Sequence, residues 1–239
     1  MSPRSVRVVG LSKRFGRLLA LREVGFELLE GQGVALIGPN GAGKSSLLRI
    51  LAGASSPDAG SVEGLEAFSS AYVPDALEFP SSVTVLEWMA YAARLKGAAS
   101  KRRDALSAAE EALAAVGLSE SRDREASTLS RGMKQRLAFA QALLGEADLY
   151  LMDEPASALD PLWAIDWKEK IADLRSRGAT ILFSSHRIDE AVALSDRVLL
   201  FGAGRIVSDE PASAWRPSGA GFAAGFAERR FRNLVGGAA

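Results

Sequence analysis

The sequence predicts an α/β layer fold. Short apolar runs of strand length alternate with helical stretches along most of the chain. A glycine-rich loop joins one of those runs to a helix, and a second buried run ends in two acids, Asp153 and Glu154. Strand–helix alternation buries apolar faces in layers, and loops at strand ends are where such folds place ligands.

Taken in order, residues 6–9 and 26–29 read as short strands. Gly33–Ile37 (GVALI) is continuously apolar, the pattern of a buried strand. It enters the glycine loop, and a helix over 44–52 follows, stopped by Gly53. Thr84 and Glu87 have capping-box spacing ahead of a helix whose Val85, Trp88, Met89 and Ala92 recur at i, i+3, i+4 and i+7. A helix over about 101–116 gathers Ala105, Leu106, Ala109, Ala112, Leu113 and Val116 on one side and ends at Gly117. A third helix starts after Ser130 and carries Met133, Leu137, Ala140 and Leu144.

Alternation resumes with a strand over 148–152. The next helix begins at Pro161, after Asp160, and stops at Gly178. A strand over 180–184, a short helix near 189–194 and a strand over 197–201 follow. Ala203 and Gly204 read as a hairpin turn into residues 205–207. The tail, 216–239, is rich in Gly and Ala with a basic cluster at Arg229, Arg230 and Arg232, and reads as a weakly ordered extension.

Composition narrows the chemistry. The 239 residues are 48% hydrophobic and 24% charged, which suits a folded globular chain and not a disordered one. With no cysteine, disulfides and thiolate metal sites are excluded, and the single histidine, His186, excludes a site of several imidazoles. Lys and Arg total 29, as do Asp and Glu, so no global field attracts nucleic acid, and no nucleic-acid partner is expected. The N-terminus lacks the apolar core of a signal peptide, and no run approaches the roughly 18–20 apolar residues of a membrane span. The chain is therefore expected in the cytoplasm, at a membrane only where a partner holds it there.

Gly38, Pro39, Asn40, Gly41, Ala42, Gly43, Lys44 and Ser45 match G-x-x-x-x-G-K-[ST], with Ser46 next. Glycines let successive backbone N–H groups turn towards a phosphate, and the helix N-terminus adds positive potential. Lys44 would bridge the outer phosphates and Ser45 would offer its hydroxyl to Mg²⁺. Asp153 and Glu154, after LYLM, lie at the carboxyl edge of the predicted sheet. Asp153 suits magnesium, and Glu154 suits orienting or deprotonating an attacking water. Ser130 is an N-cap candidate, and the Ser130–Arg131–Gly132 start makes a second anion-ready helix terminus.

Together GPNGAGKSS, LSRGMKQRLAFAQAL, LYLMDEP, SALD and SSH resemble the ATP-binding subunit of an ATP-binding cassette (ABC) transporter, over roughly residues 4–215. The resemblance implies a P-loop NTPase cassette with a RecA-like core, an antiparallel β-subdomain and an inserted helical subdomain at about 76–145, within a domain over 1–215. It implies ATP and Mg²⁺, and a head-to-tail homodimer in which Ser130 and Gly132 of one subunit close over the nucleotide held by Lys44 of the other. Asp160, in SALD, would belong to the loop linking the two sites, and also fits a plain N-cap before Pro161. His186 would contact the γ-phosphate, Phe15 would stack on adenine, and Asp75 would approach Mg²⁺ through a water. A separate polytopic permease is the implied membrane partner, with Glu78, Phe79, Trp88, Met89 and Tyr91 as candidate contacts.

Four features depart from the family pattern. Asp75 stands where Gln is usual, Arg131 stands at the first glycine of the signature and Met133 at its glutamine, and residues 56–70 look short for the β-subdomain. Asp75 and the LSRGM signature lean towards export. A soluble cassette with a non-transport role, or a regulatory cassette with impaired hydrolysis, is the alternative.

Overall fold

The computed structural model describes residues 3–97, 101–216 and 226–236. Its first two strands are longer than alternation alone suggests. β1 (Ser5–Phe15) and β2 (Leu18–Leu29) pair antiparallel along almost their whole length. Val6, Val8 and Leu11 of β1 and Leu21, Val24, Phe26 and Leu28 of β2 turn inward. Register shifts after Val8 and Leu11 break the strict period of two, so only the regular ends were legible as strands.

β3 (Gly33–Ile37) is buried at every residue and runs into the glycine loop and α1 (Lys44–Leu51). β4 (Ala59–Glu63) joins the free edge of β1, completing a three-stranded antiparallel sheet, β2-β1-β4. β5 (Ser70–Val73) follows, and then three helices: α2 (Val85–Leu95), α3 (Arg102–Ala115) and α4 (Arg131–Leu143). The Thr84–Glu87 capping box starts α2 as expected, with both reciprocal hydrogen bonds formed.

The chain returns through β6 (Leu149–Met152), α5 (Pro161–Ser176), β7 (Thr180–Ser185), α6 (Ile188–Leu194), β8 (Arg197–Gly202) and β9 (Arg205–Pro211). The main sheet has the order β5-β6-β7-β3-β8-β9, parallel throughout except for the β8–β9 hairpin. Ala203 and Gly204 both have positive φ at that hairpin, as its turn chemistry requires. The strand order places the ends of β3, β6 and β7 side by side. That is the edge where an α/β sheet presents its ligand-binding loops.

Alternation along these strands feeds two cores. Val34 and Leu36 of β3, Leu149 and Leu151 of β6 and Leu182 of β7 pack with α1 beneath the antiparallel sheet. Ala35, Ile37, Tyr150, Met152, Ile181 and Phe183 face the opposite way, towards α2 to α6. On that side Phe139 of α4 meets Trp167 of α5 edge-to-face, with ring centroids 5.0 Å apart. α4 is buried on more than the single stripe read from sequence, because both Leu137 and Phe139 are enclosed.

Two expectations need correction. Of the five proposed permease contacts, Phe79 and Met89 are core residues, whereas Glu78 and Tyr91 are exposed and Trp88 is half-buried. The Trp88 ring packs edge-on to Phe79 at 5.3 Å, and its Nε1–H donates to Gln141 Oε1 at 3.1 Å, so it is committed to holding the helices together. The tail was expected to be weakly ordered, yet Phe226–Gly236 forms α7. Ala227 is buried, and Phe231 and Leu234 lie beside it at i+4 and i+7, packed on the core. Arg230 pairs with Glu210 at 2.9 Å and lies 5.6 Å from the Trp215 ring centroid. The surrounding Gly and Ala mask this short amphipathic stripe in the sequence. Residues 217–225 and 237–239 of the tail lie outside the described residues.

Truncating the ring that joins α4 to α5 tests this packing. Phe139→Ala should lower the unfolding free energy by about 3–5 kcal/mol, the usual cost of removing a buried aromatic. Urea denaturation followed by tryptophan fluorescence measures it, and a loss under about 1 kcal/mol would contradict the packing described.

Candidate active site

The glycine loop is shaped by close approach. Gly43 has φ of 109°, and a Cβ there would lie 2.4 Å from the Ala20 carbonyl oxygen. Only glycine lets the loop sit this near β2. At the other end of the loop, a Cβ on Gly38 would come within 2.4 Å of the Phe201 carbonyl oxygen. Asn40 and Gly41 are exposed and Ala42 is buried, its carbonyl accepting from Gly204 N–H at 3.0 Å. The Lys44 ammonium donates to the Gly38 carbonyl at 2.7 Å and the Pro39 carbonyl at 3.2 Å. Burial lowers its pKa, and the nearby Glu154 and Asp153 carboxylates oppose that shift. Ser45 and Ser46 stand half-buried in the first turn of α1, where N–H groups lack helical partners.

β6 and β7 supply the acids. Asp153 is buried, and its Oδ1 accepts from Ser184 Oγ at 2.7 Å. The same Ser184 oxygen accepts from Glu154 N–H at 2.8 Å. Glu154 has a positive φ of 48°, a conformation costing about 1–3 kcal/mol that persists only where the surroundings hold it. Its Oε2 lies 2.7 Å from His186 Nδ1 and accepts from His186 N–H at 3.2 Å. An ionised carboxylate only accepts, so in that state Nδ1 carries the proton. This gives a carboxylate and an imidazole oriented by each other at the sheet edge.

Ser130 caps α4, its Oγ accepting from Met133 N–H at 3.3 Å. Gly132, in the first turn of α4, lies against the loop after Glu154, and a Cβ there would sit 2.7 Å from the Ala158 carbonyl oxygen. Asp160 caps α5 by accepting from Trp163 N–H at 3.0 Å, and it pairs with Arg136. The Trp163 N–H bond leads the lowering of its pKa. Phe15 is 50% exposed at the tip of the β1–β2 hairpin, opposite Leu18. It is therefore no core residue, and Ala20 and Leu21 just beyond that tip touch Gly43.

Magnesium prefers near-octahedral oxygen, keeps several waters and uses one or two carboxylates together with phosphates. Asp153 with the Ser45 hydroxyl fits that demand, and its second carboxylate oxygen is free of any hydrogen bond described. Asp75 was expected beside the metal through a water. Its Oδ1 is instead engaged by Arg131 Nη2 and Ser157 Oγ, each at 3.3 Å. Among the described residues no cluster of three His, Cys, Asp or Glu forms a metal cage, as a nucleotide-borne Mg²⁺ requires none.

Two residues of the site were not read from sequence. Ser184 had a signal, as a polar residue inside the apolar strand TILFSS. Gln135 stands inside the LSRGMKQR stretch that carries the resemblance, but no role was read for it, since a polar side chain on a capped helix reads as surface. It is in fact only 4% exposed, and its amide joins Glu154 O to Ala158 N–H.

Comparison with known proteins places these features in context. Residues 21–157 match the family described as ABC transporter. The aliphatic sulfonates import ATP-binding protein SsuB 2 of Pseudomonas aeruginosa is 39% identical over 216 residues, covering 90% of this chain and 78% of its own. SsuB 1 of Rhizobium johnstonii, also an aliphatic sulfonates import ATP-binding protein, is 37% identical over 220 residues, covering 90% and 80%. The dimeric post-hydrolysis state of the ATP-binding cassette MJ0796, bound to ADP and Pi, has a TM-score of 0.79 over 87% of this chain and 98% of that one. At 24% identity that likeness is one of fold.

The Ser184 hydroxyl offers a direct test of the geometry. Ser184→Ala leaves the Asp153 oxygen and the Glu154 N–H without their partner in a buried position, and should cost about 1–3 kcal/mol of stability. Equilibrium urea unfolding measures the loss, and an unchanged midpoint would contradict the shared hydrogen bond.

Proposed function

The chain belongs to the ABC transporter family of ATP-binding subunits, and from that membership we propose that it powers import of a small sulfonate-like anion through a separate membrane permease. It is a magnesium-dependent ATPase that works as a dimer of cassettes on the inner face of the membrane. No described helix is long and apolar enough to cross a bilayer, so the pathway for cargo belongs to the partner. Import, in place of the export leaning taken from Asp75 and LSRGM, follows the two relatives, which are both named as import proteins. The sulfonate assignment rests on those relatives.

The observation that carries the catalytic reading is the Glu154–His186 contact at 2.7 Å, beside buried Asp153 and the glycine loop. Lys44 and the loop N–H groups of residues 40–46 hold the phosphates. Ser45 and Asp153 would hold Mg²⁺, which when bound neutralises charge on the outer phosphates. Glu154 accepts a proton from the attacking water, and His186 keeps that carboxylate aimed while its Nε2 faces the γ-phosphate. Phe15 provides an exposed face for adenine. Ser130 and Gly132 act on the nucleotide of the second subunit, and Asp160 fixes the loop between the two sites. ATP binding closes the dimer and hydrolysis lets it reopen.

Glu154→Gln should leave ATP binding intact and let nucleotide-bound dimers accumulate. Its turnover should fall by about 10²–10⁴-fold, the range for losing a general base. Steady-state phosphate release and size-exclusion chromatography with ATP read the two effects, and wild-type turnover would remove Glu154 from the role. For the cargo, the chain co-purified with its permease should hydrolyse ATP faster when an aliphatic sulfonate is supplied with its delivery protein. A flat response would discard the sulfonate and leave the ATPase standing.

A further inference from the structure

We infer that Gln135 is a positioning residue that ties the first turns of α4 to the main chain of Glu154. Its side chain is almost fully enclosed and makes two opposed hydrogen bonds. Nε2 donates to the Glu154 carbonyl at 2.6 Å, and Oε1 accepts from Ala158 N–H at 3.1 Å. Only this orientation of the amide satisfies a carbonyl on one side and an N–H on the other.

The two partners are the ones that matter for the reaction. Glu154 is in the left-handed region, and its N–H is already held by Ser184. With Gln135 on its carbonyl, the peptide groups on both sides of Glu154 are pinned, which sets where the carboxylate starts from. Ala158 is gripped twice by the same helix. Its N–H is bound by Gln135, and its carbonyl lies so close to Gly132 that a Cβ would come within 2.7 Å. Gly132 is therefore needed for this approach within one subunit, apart from any contact with a phosphate. The start of α4 thus has two working sides. Ser130 is exposed on the side our reading gives to a second subunit's nucleotide, and Gln135 faces inwards to the main chain of Glu154 in its own subunit. A shift of α4 on dimer closure is carried through one amide to Glu154.

This inference rests on the reading of Glu154 as the proton acceptor, and Glu154→Gln measured alongside separates the two. Gln135→Met keeps the volume and removes both hydrogen bonds. Gln135→Asn keeps an amide but is one methylene too short to meet both partners. In Gln135→Met, kcat should fall about tenfold or more, as expected when a reacting group is misplaced by an ångström or less, with KM for ATP changing under about threefold. Gln135→Asn should lie between it and the wild type in kcat, with KM for ATP held within the same limit. In the nucleotide-free chain, exchange of the Ala158 amide should quicken in both variants. Wild-type kcat in Gln135→Met with an inactive Glu154→Gln control would overturn the inference. So would a parallel loss of kcat, ATP affinity and melting temperature in both variants, which marks a merely structural residue. If Glu154→Gln itself turns over normally, the catalytic reading fails first, and unchanged Ala158 exchange would then also remove the tie.

Discussion

One hydroxyl holds the centre of this molecule together. Ser184 Oγ donates to Asp153 and accepts from Glu154 N–H, so a single buried oxygen joins the end of β7 to both acids after β6. The bond exists because β6 and β7 run parallel in a register that sets Met152 beside Phe183. One residue further along, each strand delivers its polar group to the same place. A slip of one residue would turn Ser184 to the opposite face and expel Asp153 from its enclosure. Everything at the site inherits its position from that register: the acids from β6, the imidazole from the loop after β7, the glycine loop from β3 between β7 and β8.

Where local chemistry alone decides, the sequence was a sufficient guide. GVALI is a strand because a run of five buried apolar residues has no solvent face to spare, and Thr84 with Glu87 starts α2 through two short-range hydrogen bonds. Pro161 behind Asp160 opens α5 for the same reason. The glycine loop was legible because its conformation needs those residue types. Long-range packing was less visible. β1 extends to Phe15 through bulges that erase its alternation, and α7 forms because Ala227, Phe231 and Leu234 find a core surface that no local pattern announces. Phe79 and Met89 were expected at a partner surface and belong to the core, since the aromatic and thioether side chains suit either place.

Gln135 shows the same limit at the scale of one side chain. A buried amide costs stability unless both its ends are paired, so its burial is meaningful only once both partners are located. Those partners lie 19 and 23 residues away in sequence, across β6 and the loop that follows it. Gly132 illustrates the converse. Its place in a recognised motif suggests one reason for glycine, and the fold supplies a second, the approach to Ala158. A residue fitted to both demands tolerates less change than either alone would require.

Two of the departures from the family pattern meet in the fold. Arg131 replaces a glycine, Asp75 replaces a glutamine, and their side chains are 3.3 Å apart, with Ser157 on the same carboxylate oxygen. An unpaired carboxylate at position 75 would add negative charge near a site that must receive phosphates, and Arg131 offsets it locally. The pair is exposed, with 70% of the Arg131 side chain open to solvent, so it adds little to stability and acts chiefly by setting charge and direction. With Asp75 Oδ1 so engaged, Ser45 and Asp153 are the residues our proposal gives to Mg²⁺, an ion that brings its own waters and binds phosphate. In the fold the two departures are therefore the two ends of one contact.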